Sequence, residues 1–204
     1  MIVVIEPGER EAFRDELEAS YRLRHRIFVE ERGWTSFAKP GDRECDHLDE
    51  VSTTFLAIQH DEVIGCARLV PGAGLNPDIV TDQKVQALAG RTSFAGLGRF
   101  CVATEIRGGS KVRNPGSHLL VAVLEHARDA RIGEIFFETD PWFVALLRLM
   151  KVRLETIGPP MPYYGREMVM AIVPVDQRAI DMCRRMLKLE LPGFGSRPDA
   201  QTGR

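Results

Sequence analysis

The sequence predicts a single mixed α/β domain on a mostly antiparallel sheet, with helices on both faces. Three observations carry this. Thr53–Gln59 and Val63–Val70 are apolar, β-rich runs separated only by His60-Asp61-Glu62, the pattern of an antiparallel hairpin. Segments with apolar residues at helical spacing alternate with further short strands along the chain. A length of 204 residues, 44% hydrophobic and 27% charged, supplies one sizeable core and is modest for two.

Taken in order, Ile2–Ile5 is a short apolar strand ended by Pro7-Gly8. From Glu9 to Glu31, Phe13, Leu17, Tyr21, Ile27 and Phe28 recur near helical spacing. Gly33 and then Pro40-Gly41 break that pattern and open a polar loop through Glu50. The hairpin follows, then a loop over Pro71–Pro77 and a short helix over Val80–Ala89. Arg99–Ile106 reads as a strand and Arg107–Gly116 as a glycine- and charge-rich loop. Ser117–Arg131 carries Leu120, Val121, Leu124 and Ala127 on one helical face. Glu134–Glu138 is a strand. Asp140-Pro141 is an N-cap followed by proline at the first helical position, opening a helix to Val152. Leu154–Ile157 is a strand, Gly158–Gly165 a proline-rich loop, Glu167–Val175 a long strand and Asp176–Leu189 a last helix. The domain is expected over residues 1–191, with 192–204 a flexible tail. This order matches the acetyltransferase-like (GNAT-like) α/β layout.

Lys and Arg number 27 against 29 Asp and Glu, a net charge of −2, which argues against sequence-independent nucleic-acid binding. No apolar run reaches membrane-spanning length, and Met1 to Pro7 is too short and too quickly acidic for a signal peptide. A cytoplasmic protein is expected, with no nucleic-acid or membrane partner. Cys45, Cys66, Cys101 and Cys183 are scattered without a CxxC pair, so neither a disulfide framework nor a metal site is expected. Walker loops, HExxH, nucleophile elbows and GxGxxG are all lacking. Arg113-Asn114-Pro115-Gly116-Ser117 stands where a strand turns into a helix, so Arg113 and Gly116 are candidates for an anion-holding turn, the alternative being an ordinary helix start.

The informative stretch begins at Arg24. Arg24 and Phe28 are four residues apart and share a helical face, and Trp34 follows just past Gly33. An arginine beside two aromatics can grip a carboxylate and stack on a flat ring, or be a solvated arginine beside core. Glu44-Cys45-Asp46-His47-Leu48-Asp49 places acids three apart, able to lock an arginine or to cap a turn. Arg68 stands in an otherwise apolar strand and needs a carboxylate partner, for which Asp46 and Asp49 are the candidates.

The ordered series R-x-x-x-F-x-x-x-x-x-W, E-x-D-x-x-D, the strand arginine Arg68 and then Arg99-Phe100 resembles the LuxI-type acyl-homoserine lactone synthases. The Gly158-Pro159-Pro160…Tyr164-Gly165 loop before a long strand is similar to that family too. The resemblance implies that Arg24, Phe28, Trp34, Arg68 and Phe100 serve the S-adenosylmethionine pocket. It implies that Asp46, Asp49 and Arg99 are catalytic, the aspartates forming an ion-pair network with Arg68 and Arg99 lying at the reaction centre. Cys101, Val102, Thr104, Thr139, Trp142, Phe143 and Leu146 would line the acyl and pantetheine cleft.

The implied reaction has two steps. The α-amine of S-adenosylmethionine attacks an acyl thioester, and the substrate carboxylate then closes the lactone and expels methylthioadenosine. No tightly bound cofactor is needed; the donor would be acyl-CoA or an acyl-carrier protein, and Arg128, Arg131, Arg148, Lys151 and Arg153 read either as a dock for the latter or as a solvated charged face. One segment departs from the family's W-E-x-S-R-F: Ala95-Gly96-Leu97-Gly98-Arg99-Phe100 puts glycine where the family's proposed base and its serine stand. Gly96 and Gly98 are therefore expected to enlarge the cleft for a branched or aromatic acyl group, with Asp46 or Asp49 acting through water. The alternatives are an N-acyltransferase for another amine without lactonisation, and a non-catalytic protein that binds the same ligands.

Overall fold

The structure, a computed structural model, describes residues 1–72, 93–106, 115–149 and 151–186. Among these, seven strands form the main sheet: β1 (Ile2–Ile5), β4 (Thr53–Gln59), β5 (Glu62–Pro71), β6 (Phe94–Val102), β7 (Glu134–Thr139), β8 (Glu155–Tyr163) and β9 (Arg166–Pro174). Their order across the sheet is β1-β4-β5-β6-β7-β9-β8. Every neighbouring pair is antiparallel except β6 and β7. The short strands β2 (Ala38–Lys39) and β3 (Arg43–Glu44) form a separate ribbon. The β4–β5 connection shrinks to His60 and Asp61, both at positive φ (50° and 62°), a two-residue turn whose twist suits a hairpin.

Side-chain alternation gives the sheet two apolar faces. On one, Phe55, Ala67, Leu69, Ala95 and Leu97 bury against α2 (Pro115–Asp129), α3 (Pro141–Leu149) and α4 (Gln177–Met186). On the other, Leu56, Cys66, Cys101 and Met168 bury against the N-terminal segment: a 3₁₀ turn over Pro7–Phe13, α1 (Arg14–Arg24) and a wide π-helical turn over His25–Glu31. The predicted helix over Glu9–Glu31 thus exists as three helical pieces. Its π-turn widens the end of α1, as such bulges do near functional sites, and sets Phe28 beside Trp34.

Two strands depart from expectation for identifiable reasons. The strand predicted over Arg99–Ile106 runs instead over Phe94–Val102. Ala95-Gly96-Leu97-Gly98 has too few side chains to show alternation, yet Ala95, Gly96 and Leu97 are buried mid-sheet. The predicted loop Gly158–Gly165 is largely strand: β8 lies at the sheet edge, where Pro159 and Pro160 sit in a register shift between Ile157 and Met161. The helix over Val80–Ala89, most of the Pro71–Pro77 loop, Arg107–Asn114 and the tail from Pro192 lie outside the described residues.

Candidate active site

Two buried arginines, Arg24 and Arg68, and the partly buried Arg99 need three acids, and the N-terminal face supplies them in a closed ring. Arg24, at the end of α1, donates from Nε to Glu44 (2.5 Å) and from Nη1 and Nη2 to the two oxygens of Asp49 (2.7 and 3.1 Å). Asp49 also meets Arg68 Nη1 at 3.0 Å. Arg68, on β5, forks onto Asp46 at 2.6 and 3.1 Å. Arg99 closes the circuit, donating from Nη2 to Asp46 (3.0 Å) and from Nε to Glu44 (2.9 Å). Charges alternate around the ring and cancel. Arg24, Glu44, Asp49 and Arg68 are at most 4% exposed, so each charge depends on its neighbours.

Local structure places the acids. Asp46 caps the 3₁₀ turn His47–Val51 by accepting from the Leu48 N–H, and Asp49 accepts in return from the Asp46 N–H. The capping and ion-pairing readings of this segment are therefore both realised. Burial alone would raise the Asp49 carboxyl, but the charge and hydrogen bonds of Arg24, with Arg68 behind, hold it well below the usual carboxylate range. Asp46 follows the same logic: Arg68 and Arg99 outweigh its burial and lower it. Arg24 is kept charged against its own burial by Glu44 and Asp49.

A β-bulge sets Arg99 apart from its strand. Cys66 pairs with Cys101 and Arg68 with Gly98, so Arg99 and Phe100 stand opposite Ala67 alone. Arg99 takes φ of +53°, a left-handed conformation costly for a side-chain-bearing residue. The extra residue turns Arg99 toward Glu44, Asp46 and the Phe37 ring (4.8 Å), on the face where Arg68 opposite Gly98 also points. Its Nη1 lies outside the ring.

Just before the bulge, β6 and β7 part. Among the described residues they pair only over Phe94–Gly96 with Glu134–Phe136. A cavity of about 400 Å³ occupies the gap and touches both apolar faces of the sheet. On the N-terminal side Phe28, Trp34, Arg99, Glu138 and Tyr163 wall it; on the other, Leu97, Val102, Leu120, Phe143 and Leu147. Phe28 stacks on Trp34 at 5.2 Å and 12°, and Tyr163 meets the indole edge-on at 5.3 Å. The Trp34 Nε1 donor is buried without a partner. Gly116 and Ser117, in the first turn of α2, reach the cavity where the helix start favours an anion.

The predicted residues divide into four groups. Phe28, Trp34, Arg99, Phe100, Cys101, Val102, Thr139, Trp142, Phe143, Leu146 and Gly116 all line this cavity. Arg24, Asp46, Asp49 and Arg68 form the ring instead of lining the cavity. Arg24, expected in the substrate pocket, spends its donors on Glu44 and Asp49, and the two aspartates are each paired with two arginines, which lower their affinity for a proton. Thr104 faces away, donating to Glu31 at 2.6–2.7 Å. Arg113 lies outside the described residues. Gly98 lines the cavity with nothing within 4 Å of where a Cβ would stand, yet Gly98 and Gly96 belong to the N-terminal face, so they do not widen the acyl side. Sequence alone gave Glu44 no role of its own, though it heads the E-x-D-x-x-D series, and did not single out Glu138. Three arginines in apolar settings with only two acids assigned to them were the signal for Glu44.

A sheet opened between two neighbouring strands, with an apolar arm on one side and an aromatic and guanidinium recess on the other, defines an acyltransferase of the acetyltransferase-like fold. A Lactobacillus plantarum structure carrying an N-acetyltransferase assignment shares that fold alone, at 22% identity (TM-score 0.58; 86% and 98% of the two chains). The profile of the autoinducer synthase family matches residues 9–182, and the chain belongs to that family. The isovaleryl-homoserine lactone synthase of Bradyrhizobium diazoefficiens is 27% identical over 188 residues, covering 89% of this chain and 83% of that one. The CoA-dependent acyl-homoserine lactone synthase BjaI, solved with SAM and isopentyl-CoA, superposes with a TM-score of 0.79 at 25% identity, over 94% and 90% of the chains.

Proposed function

We propose that the chain makes an acyl-homoserine lactone signal from S-adenosylmethionine and an acyl thioester, in the cytoplasm. One observation carries this: a single cavity passes between β6 and β7, so a polar cation and an apolar chain can meet end to end at the gap. The nucleophile's side offers stacked Phe28 and Trp34 for a flat ring and Arg99 for a carboxylate. The thioester side offers Leu97, Val102, Phe143 and Leu147 for the acyl chain. Backbone N–H groups of β6 freed by the separation from β7 can meet the thioester oxyanion. The first turn of α2 suits the pyrophosphate of coenzyme A, which favours acyl-CoA over a carrier protein as donor. Of the basic residues considered for carrier docking, Arg128 is tied to Asp129 and Gln177.

Positioning dominates the chemistry. Lactone closure expels a neutral thioether and needs no acid, so a rigid recess suffices. Phe100 and Phe137 line the cavity with Phe143, their rings 5.7 and 6.2 Å from the Phe143 ring. A volume of about 400 Å³ is small for two substrates against the ~300–1,000 Å³ of ordinary ligand pockets. A short branched or aromatic acyl group is the reading this supports. The test is incubation with S-adenosylmethionine and a panel of acyl-CoA thioesters, following thiol and methylthioadenosine together. Equal release of both supports the synthase; thiol without methylthioadenosine means another N-acylation, and neither removes the proposal.

A further inference from the structure

Resting on the acyl-transfer reading above, we propose that Glu138 is a catalytic residue: the general base that takes the proton from the attacking amine. The reacting nitrogen enters as an ammonium and must lose a proton before it can attack. The ring acids are unsuited to this, because Glu44, Asp46 and Asp49 each already accept from two arginines. Two carboxylates line the cavity itself, Glu138 and Asp140. Asp140 lies past the end of β7, at the start of α3, and is paired with Arg32 at 2.8 Å, whereas Glu138 stands on β7 itself beside the gap.

Register places Glu138 where a base is needed. Gly96 pairs with Phe136 in the parallel ladder, so two residues on, Gly98 and Glu138 stand level across the opened gap. Arg68 pairs with Gly98 on one side and Met170 with Glu138 on the other, giving one rung that reads Arg68, Gly98, Glu138, Met170. Arg68 points toward Asp46 on the N-terminal face. Glu138 shares the face of Phe136 and Met170, which pack together on that same side. Gly98 between them leaves open space. In a paired sheet Arg68 and Glu138 would be two strand spacings apart, roughly 10 Å; the separation of β6 from β7 adds to this. An amine seated over Gly98 therefore has the guanidinium end of the ring on one flank and the Glu138 carboxylate on the other.

The step balances. Glu138 takes one proton from the ammonium and frees the nitrogen lone pair. The nitrogen–carbon bond forms as the carbon–sulfur bond breaks. A second nitrogen proton leaves with the sulfur as free thiol, and the proton on Glu138 passes to solvent.

The experiment compares Glu138→Gln and Glu138→Asp with the unaltered protein, measuring thiol and methylthioadenosine from pH 6 to 9.5 and S-adenosylmethionine affinity by calorimetry. Glu138→Gln is expected to lose about 10²-fold in kcat/KM at pH 6, where about a hundredth of the amine is neutral, and about tenfold at pH 7. The deficit should shrink roughly tenfold per pH unit up to the amine pKa of about 8, because the free amine then supplies itself. Affinity should stay within twofold, and Glu138→Asp should recover part of the rate. Kinetics within threefold of the unaltered protein, with a parallel pH profile, overturn the assignment of Glu138 alone. A loss that pH does not relieve, or that follows weakened S-adenosylmethionine binding, overturns it in favour of a structural role. If the unaltered protein gives neither product, the acyl-transfer reading falls and this role falls with it.

Discussion

Replacing Glu44 by Gln keeps the size of the side chain and removes one charge from a ring that balances only as a whole. Glu44 is 1% exposed and accepts from Arg24 Nε and Arg99 Nε, so the substitution leaves a buried net positive charge. Breaking a buried ion pair by removing one partner costs about 3–5 kcal/mol. In a domain of this size 1 kcal/mol moves Tm by roughly 2–4 °C, so a fall of about 6–20 °C is expected. Thermal unfolding at pH 7, followed by circular dichroism, reads this directly. Adding Arg24→Gln removes the uncompensated charge, so the double variant should be less destabilised than the two single effects summed. A Glu44→Gln shift under about 2 °C, or simple additivity in the double variant, would refute the idea that the ring acts as one neutral unit.

Acid should act through the same groups. Asp46 and Asp49 have folded values below their unfolded ones, so they contribute stability that is fully present above about pH 4 and lost as pH falls through the depressed values. Urea unfolding between pH 2 and 6 should show this loss, with a flatter curve for Asp49→Asn. Trp34→Phe keeps stacking on Phe28 but deletes a donor that lacks a partner; an S-adenosylmethionine Kd raised about fivefold, with Tm little changed, is expected by calorimetry. Phe143→Ala opens the acyl arm and should move preference toward longer acyl-CoA chains by on the order of tenfold in kcat/KM. Gly98→Ala places a methyl in open space, so stability should stay within about 0.5 kcal/mol while KM rises for S-adenosylmethionine and not for the acyl donor.

Much of the ring was legible because charge among apolar residues is conspicuous. Arg68 in an apolar strand announced itself, with Asp46 and Asp49 as the candidate acids, while Arg24 beside Phe28 read as well as a solvated arginine until the ordered series set it in context. Glu44 was not legible, since a carboxylate in a polar loop looks solvated until its fold buries it. The strand β6 was misplaced by five residues at its start because glycines carry no alternation, and its bulge leaves no mark in composition. Prolines hid β8 for the opposite reason: they usually end strands, and only an edge position with a register shift accommodates them. Glu138 was missed because its role depends on a gap between strands that pairing, not sequence pattern, creates.

The extra residue at Arg99 makes emptiness in this molecule depend on a deliberate miscount. Deleting Gly98 would restore one-to-one pairing along β5 and β6, relieve the left-handed Arg99, and let the hydrogen bonds of β6 and β7 zip further toward Thr139. Such a chain would fold into a tidier sheet while losing the opening between those two strands, so here regularity and activity stand on opposite sides of one amino acid.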